Sequence, residues 1–242
     1  MPTVVARMWG REPATRRGPR PSLSLDRVTD AAIEIADAEG LAGVRMSSVA
    51  AKLGVSTMSL YGYVSSKEDL LTAMADAAAP APPEPGDLPW REYLTAWTRA
   101  NRDFLLGHPW LLEVSPLTPP MGPRVLRWLD RSLTVLARAG LDAGEGVNIS
   151  STLSAYAVSA ATLAHDMRGP ADESALAGLS AYTAMLTRFV DAQEYPGLSA
   201  ALRSHGFGHA EEWVEDHDFT FGLDLLLDGV EALIARRGKD ER

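Results

Sequence analysis

Apolar residues recur at intervals of three and four along most of this chain, which is the spacing of amphipathic helices. The clearest stripes belong to a first helix capped by Ser24 and closed by Gly40, and to a later helix from Val125 to Leu136 that ends at Gly140. No segment keeps the alternation of apolar and polar residues that is typical of strands. The pattern therefore predicts an all-α fold.

The segment from Arg45 to Lys67 predicts two short helices joined by a tight turn. The first helix has one apolar face, and Gly54 can adopt the left-handed conformation that closes a helix. Ser56 is a plausible cap for the second helix, in which Leu60 and Val64 share one inward face. Such a pair of helices is too short to be stable without support from neighbouring helices.

The outward face of the second helix carries hydroxyl groups, a thioether and aromatic rings: Thr57, Met58, Ser59, Tyr61, Gly62 and Tyr63. A helix, a glycine turn and a short helix with a polar face are typical of a recognition helix in the DNA major groove. The same pattern also occurs as a structural corner in ordinary helical proteins. Ser65 and Glu68 predict a capping box for the next helix, with Lys67 at its positive end, where a phosphate would be favoured.

This next helix should end before a segment that contains four prolines and one glycine between positions 80 and 86. At the other end of the chain, residues 1–21 hold five arginines against a single acid and suggest a disordered basic arm, either a solvated tail or an arm that follows DNA. We therefore expect a basic arm at 1–21, a helix–turn–helix domain at 22–79, and a larger helical domain at 80–242.

The distribution of charge favours DNA contact at the N-terminal end alone. The whole chain has a formal net charge of −9, yet residues 1–80 carry 9 basic and 9 acidic residues. All of the excess negative charge therefore lies after residue 80. Phosphate would repel that acidic part and leave the first 80 residues to approach DNA.

The larger part of the chain predicts further helices, including one from Val147 to His165 that is rich in small residues and one from Phe219 to Arg236 with a wide apolar stripe. Both could be interior helices of one domain, or each could pack against a second subunit. Aromatic and soft residues with a few polar groups predict an apolar small-molecule pocket. Its candidate residues are Trp97, Asn101, Phe104, Trp110, Trp128, Tyr156, His165 and Met167.

No catalytic motif stands out, and we expect neither enzymatic activity nor a cofactor. The His and acidic residues between 205 and 218 are the one cluster with metal-ligand types, but intervening glycines favour a solvated loop, so no metal site is expected. The chain has no cysteine and no apolar run long enough to cross a membrane, which predicts a cytoplasmic protein. A small-molecule-binding protein or enzyme with a vestigial DNA-binding part is the alternative.

The motif Gly54-Val55-Ser56, followed by Leu60-Tyr61, Val64 and Lys67-Glu68, resembles the DNA-binding head of the tetracycline-repressor-like (TetR) family. The resemblance covers about residues 22 to 76. It implies a homodimeric transcriptional regulator, most often a repressor, that binds a pseudo-palindromic operator in double-stranded DNA and answers to a small-molecule effector. It also implies that helices near 147–165 and 219–236 form a four-helix dimer interface.

The same resemblance assigns roles in DNA binding. It places Thr57, Ser59 and Tyr63 toward the bases and Ser47, Tyr61 and Lys67 toward phosphates. The chain departs from the family at Arg45 and Met46, where a Thr or Ser usually caps the helix, and Arg45 then becomes a candidate phosphate contact. The complete set of predicted DNA-binding residues is Arg45, Ser47, Ser56, Thr57, Met58, Ser59, Tyr61, Gly62, Tyr63 and Lys67.

Overall fold

A computed structural model describes residues 3–11, 23–114, 121–168, 172–204 and 216–240, and none of these residues lies in a strand. The all-α prediction is confirmed. The helices are α1 (Thr3–Met8), α2 (Leu25–Glu39), α3 (Met46–Leu53), α4 (Thr57–Tyr61), α5 (Lys67–Ala78), α6 (Trp90–Gly107), α7 (Pro123–Arg138), α8 (Ala143–Arg168), α9 (Asp172–Phe189), α10 (Pro196–Arg203) and α11 (His217–Asp240). Short 3₁₀ turns cover Leu41–Gly43 and Pro109–Leu112.

The chain forms two compact units, residues 1–161 and 162–242. In the first unit, α2 packs on α3 and α5, and α3 packs on α4. The side chains of Val28, Ala32, Leu60, Leu70 and Met74 are fully buried in this head. Burial of that apolar surface holds the short helices α3 and α4, which could not form in isolation.

Three predicted helix ends are confirmed. The hydroxyl of Ser24 accepts a hydrogen bond from the Arg27 N–H at 3.2 Å and caps α2. Gly54 ends α3 with φ 66° and ψ 31°, a left-handed conformation that glycine adopts without steric cost. The hydroxyl of Ser56 accepts from the Ser59 N–H at 3.2 Å and begins α4.

Two local predictions are wrong. The recognition helix ends at Tyr61, and Val64 is buried in the turn that follows it. The cap of α5 is Ser66 in place of Ser65, because the Ser66 hydroxyl accepts from the Asp69 N–H at 3.1 Å. The Asp69 carboxylate in turn accepts from the Ser65 N–H at 3.1 Å, so the reciprocal pair of bonds uses Asp69 instead of Glu68.

The prediction of a disordered arm over residues 1–21 is wrong for residues 3–8, which form α1. Val4 and Val5 are 1% and 6% exposed and belong to the core of the head, and α1 packs against α5. Burial of these two side chains against the head holds the short helix, which could not form in isolation. The arginines at 16, 17 and 20 lie outside the described residues.

The proline-rich connection between α5 and α6 is fastened by side chains from the helices that follow it. Tyr93 donates to the Pro83 carbonyl, Trp128 donates to the Pro80 carbonyl, and Arg138 donates to the Gly86 carbonyl. A connection held at three carbonyls keeps a defined path between the head and α6.

Helices α6, α7 and the first part of α8 build the rest of this unit. Trp97 donates its indole N–H to the Trp128 carbonyl at 3.0 Å, and the two rings lie 6.0 Å apart. The Ser132 and Ser150 hydroxyls are buried and share a hydrogen bond of 2.8 Å between α7 and α8. These contacts satisfy the polar groups of a largely apolar helix packing.

In the second unit, α9 packs against α10. Along α11, Phe219, Leu223, Leu227 and Val230 are buried on one face, whereas Phe221 and Leu225 are 63% and 58% exposed on the other. The predicted domain boundary near residue 79 and the predicted dimer interface stay predictions.

Candidate nucleic-acid interface

Helix α4 presents one face to solvent and hides the other. Leu60 is fully buried, whereas Met58 and Tyr61 are 78% and 49% exposed. Ser56 and Ser59 are also exposed, and Thr57 is half-buried. The helix therefore has an outward surface of hydroxyls, a thioether and a phenol, as the sequence predicts.

Ser56 and Ser59 form a hydroxyl pair on this surface. Their oxygen atoms lie 2.9 Å apart, and either hydroxyl can donate to the other. Because each hydroxyl has one proton and two lone pairs, the pair can offer a donor or an acceptor to a base edge. The absence of Arg, Lys, Asn and Gln between Thr57 and Tyr63 removes the strong bidentate base contacts.

Tyr63 faces into the head. Its hydroxyl donates to the Leu23 carbonyl at 2.8 Å, and the Arg7 guanidinium lies 5.5 Å from its ring centroid. This geometry favours a positioning role over the predicted base-reading role. Gly62 is exposed, with φ −67° and ψ −20°, so its backbone conformation does not require glycine. Its lack of a side chain instead leaves room for a DNA backbone to approach closely.

Arg45 and Ser47 are exposed at the start of α3. Arg45 occupies the N-cap position and makes no side-chain capping bond, in agreement with a weakened cap at this departure from the family. The free backbone N–H groups of the first turn favour an anion, and the Arg45 guanidinium adds a positive charge beside them.

Lys67 is exposed at the first position of α5. The acidic residue next to it already interacts with this helix end: hydrogen bonds from the Glu68 backbone N–H and then from the Ser66 hydroxyl lower the pKa of the Glu68 carboxyl. A phosphate at this end must therefore displace or tolerate a carboxylate.

A junction between α5 and α7 was not predicted from the sequence. Asp76 is 6% exposed, and its Oδ1 accepts from the backbone N–H groups of Arg124 and Val125, both at 3.0 Å. Gly122 is the N-cap residue of α7 and has no side chain to offer, so Asp76 supplies the cap from another helix. Burial raises the pKa of Asp76, and the two N–H groups oppose that shift.

Gly122 is required at this junction for steric reasons. A Cβ at this position would overlap the Asp76 carboxylate and the methyl group of Met8. The Arg124 guanidinium also donates to the Ala77 carbonyl at 2.8 Å. The last turn of the head is therefore joined to α7 by three hydrogen bonds.

A second junction joins α2 to the 3₁₀ turn at Pro109–Leu112. One oxygen of Asp37 lies 2.8 Å from His108 Nδ1 and accepts from the Trp110 indole N–H at 2.8 Å. The side chain of Trp110 is 2% exposed. This residue, a candidate for the effector pocket, thus contacts the head.

The other pocket candidates are spread over α6, α7 and α8. Trp97 and Trp128 pack together, Phe104 lies edge-on to His108 at 5.7 Å, and Asn101 donates to the Ser154 hydroxyl at 3.4 Å. Tyr156 is half-buried, and His165 is exposed in the second unit. The side chain of Met167 lies outside the described residues. The effector pocket stays a prediction.

Among the described residues, no helix has the length and apolarity needed to cross a membrane. The described part of the chain also contains no group of three His, Cys, Asp or Glu side chains that could hold a metal. Most of the acidic and histidine-rich cluster, at residues 205–215, lies outside it.

A helix–turn–helix whose second helix buries Leu60 and exposes a polar face is the arrangement of helix–turn–helix DNA-binding proteins. Residues 28–74 match the bacterial regulatory proteins of the tetR family, and residues 82–234 match the tetracyclin repressor-like C-terminal domain. The chain belongs to the TetR family of transcriptional regulators.

Individual relatives agree with this membership. The chain is 38% identical over 239 residues to the HTH-type transcriptional repressor DrrR1 of Streptomyces coeruleorubidus, covering 95% of this chain and 85% of that protein. It is 28% identical to the class A tetracycline repressor protein from transposon 1721 of Escherichia coli, over 86% of this chain and 90% of that one. The crystal structure of ActR from Streptomyces coelicolor in complex with actinorhodin is similar with a TM-score of 0.73 and 25% identity, over 88% of this chain and 97% of that chain.

Proposed function

We propose that this protein is a homodimeric repressor that binds a pseudo-palindromic operator and leaves it when a small molecule binds the helical body. The observation that carries the proposal is α4, whose Leu60 is fully buried while Met58 and Tyr61 extend into solvent. A repressor is favoured because DrrR1, at 38% identity, is a transcriptional repressor.

Operator reading rests on hydroxyls, apolar contact and DNA shape. The hydroxyl pair of Ser56 and Ser59 supplies hydrogen bonds, and Met58 supplies apolar contact with thymine methyl groups. Arg45, Ser47, Tyr61 and Lys67 hold the phosphates on either side, and Gly62 admits the DNA backbone closely. Phosphate contacts fix the register of the head, and the α4 side chains select the sequence.

The dimer uses α8 and α11. Large apolar side chains are exposed on each of these helices: Val147 and Leu163 on α8, and Phe221 and Leu225 on α11. Exposed apolar faces on two long helices favour association with a second copy. Two heads related by a two-fold axis then read two half-sites separated by about one helical turn of DNA or a multiple of it.

The effector binds among the aromatic side chains of α6, α7 and α8, with the Asn101–Ser154 bond as a polar anchor. An apolar, aromatic ligand suits these side chains, and ActR, which is similar in structure, binds actinorhodin. The protein acts on DNA in the cytoplasm without catalysing a reaction. An enzyme with a vestigial head is the competing function, and it predicts turnover without operator preference.

The function is tested by selecting duplexes from a randomised pool with the purified protein. We expect a pseudo-palindromic consensus, one dimer per duplex, and a preference over a shuffled duplex of about a thousandfold or more at fixed salt. Fluorescence anisotropy gives the affinities. Equal and steeply salt-dependent binding to both duplexes would contradict a specific regulator.

The phosphate role of Lys67 gives a separate prediction. Lys67→Ala should weaken binding to operator and shuffled DNA by similar factors, and it should reduce the slope of log K against log salt by about 0.9 per head. Anisotropy titrations at several salt concentrations measure both quantities.

The matched control is Lys52→Ala, which removes the same charge from a lysine whose Nζ already lies 2.8 Å from Glu34. This control should leave the slope nearly unchanged. A loss for Lys67→Ala that is confined to the operator would exclude a phosphate contact.

A further inference from the structure

Helix α1 and the residue that follows it, Trp9, contact two parts of the first unit that matter for DNA binding. The first contact is with Tyr63, which lies two residues beyond the end of the recognition helix α4. The Arg7 guanidinium lies 5.5 Å from the ring centroid of this tyrosine. The second contact is with Met121, which lies immediately before Gly122 and α7. The Trp9 indole N–H donates to the Met121 carbonyl at 2.9 Å. One short segment thus bridges the recognition helix and the body.

The N-terminal segment is packed firmly enough in the head to fix the positions of the residues that it contacts. Val4 and Val5 are almost fully buried in the core of the head, and Met8 packs against that core. Tyr63 in turn is fixed by its bond to the Leu23 carbonyl at 2.8 Å. Both the N-terminal segment and the tyrosine that it contacts are therefore held in fixed positions in the head.

We propose that α1 positions the recognition helix, and that Arg7 and Trp9 are positioning residues for operator reading that do not touch DNA. Arg7 holds the Tyr63 ring through a cation–π contact and so fixes the residues that follow α4. Trp9 ties the same helix to the corner that begins α7. This inference rests on the proposed function, since it concerns how the proposed reading helix is held.

The alternative for an arginine near the recognition helix is a direct phosphate contact, and salt dependence separates the two. Loss of a phosphate contact weakens binding to every sequence and lowers the salt slope by about 0.9 per head. Loss of a positioning contact lowers affinity for the selected operator and leaves both the affinity for shuffled DNA and the slope unchanged, because the phosphate contacts are intact.

The experiment measures operator and shuffled-duplex affinities of Arg7→Ala, Arg7→Lys and Trp9→Phe by anisotropy across a salt series. We expect Arg7→Ala to lower operator affinity about tenfold with an unchanged salt slope, an effect in the range of a single base-pair mismatch. Arg7→Lys, which keeps a cation over the Tyr63 ring, should retain most of the wild-type operator affinity. Trp9→Phe, which keeps the ring and loses the donor, should lower the operator preference by a smaller factor.

Two controls make the result decisive. Arg127→Ala removes the same charge from an exposed arginine of α7, and it should leave the operator preference unchanged. The double variant Arg7→Ala/Tyr63→Leu should bind the operator no more weakly than Tyr63→Leu alone, because the proposed effect of Arg7 on operator reading passes through the Tyr63 ring.

Three results would overturn the inference. These are an unchanged operator preference in Arg7→Ala, a parallel loss on both duplexes with a lower salt slope, and additive losses in the double variant. If the wild-type protein itself shows no operator preference, the proposed function fails and the inference falls with it. Thermal unfolding of each variant confirms that the affinities are measured on folded protein.

Discussion

Asp76→Ala is expected to lower the free energy of unfolding by about 2–3 kcal/mol, whereas Asp76→Asn should lower it far less. Alanine leaves the backbone N–H groups of Arg124 and Val125 without the carboxylate oxygen that accepts both of them at 3.0 Å. Asparagine keeps an oxygen at the same place. Thermal and denaturant unfolding at one fixed protein concentration measure the difference.

The raised pKa of Asp76 adds a pH dependence with a definite sign. Burial raises this pKa in the folded state, so the folded protein holds the proton more tightly than the unfolded chain does. The stability of the wild type relative to Asp76→Asn is therefore greatest below the unfolded-state pKa of about 3.9 and falls as pH rises through the folded-state pKa. A relative stability that grows with pH would mean that the two N–H bonds outweigh burial.

Features set by neighbouring residues could be predicted from the sequence. Ser24 and Ser56 cap their helices because a hydroxyl reaches the N–H group three positions on, and that geometry depends on the local chain alone. Gly54 ends α3 for a similarly local reason. The exposed face of α4 lies opposite the buried side chain of Leu60, so the sequence pattern was enough to predict which α4 side chains face solvent.

Features set by distant residues could not be predicted in this way. Asp76 caps a helix that begins 47 positions later, and Asp37 accepts from Trp110 across 73 positions. Both acids look like ordinary solvent-facing residues of a helix in the sequence. Their partners depend on how the helices pack, which periodicity does not specify.

The N-terminal segment shows how composition misled. Its arginines and prolines are typical of disorder, yet Val4 and Val5 are buried in the core of the head and hold the short helix α1, which packs against α5. For the same reason the surroundings of Tyr63 were not predicted. Arg7 lies over its ring, and its hydroxyl donates a hydrogen bond to the Leu23 carbonyl. A residue assigned to the groove by resemblance was thus found to face inward.

The double variant Asp76→Ala/Gly122→Ser is expected to recover most of the stability that Asp76→Ala loses. Gly122 has φ −90° and ψ 153°, the extended conformation usual at an N-cap, so a serine there can accept from the first N–H groups of α7 within its own helix. Its Cβ fits only when the Asp76 carboxylate is absent, and the flexible end of Met8 can move aside.

The effect of Gly122→Ser on the free energy of unfolding should therefore have opposite signs in the wild-type protein and in Asp76→Ala. In the wild-type protein, Gly122→Ser places a Cβ against the Asp76 carboxylate and should be destabilising by about 1–3 kcal/mol. In Asp76→Ala it should be stabilising. Unfolding measurements on the four proteins of this cycle give the coupling, with Gly107→Ala, where a Cβ would meet nothing within 4 Å, as a control for glycine replacement. Additive effects would contradict the proposed geometry of the junction.

The restored protein should differ from the wild type in DNA binding, because its cap no longer comes from α5. The head would keep α4 intact but lose two of its three hydrogen bonds to α7, leaving the bond from Arg124 to the Ala77 carbonyl. We expect the wild-type dimer to discriminate strongly against operators in which two base pairs are inserted between the half-sites, since its heads are held at one spacing. The double variant should tolerate the insertion much better at comparable stability. Equal discrimination by both proteins would show that Asp76 serves the stability of α7 alone and does not set the position of the head.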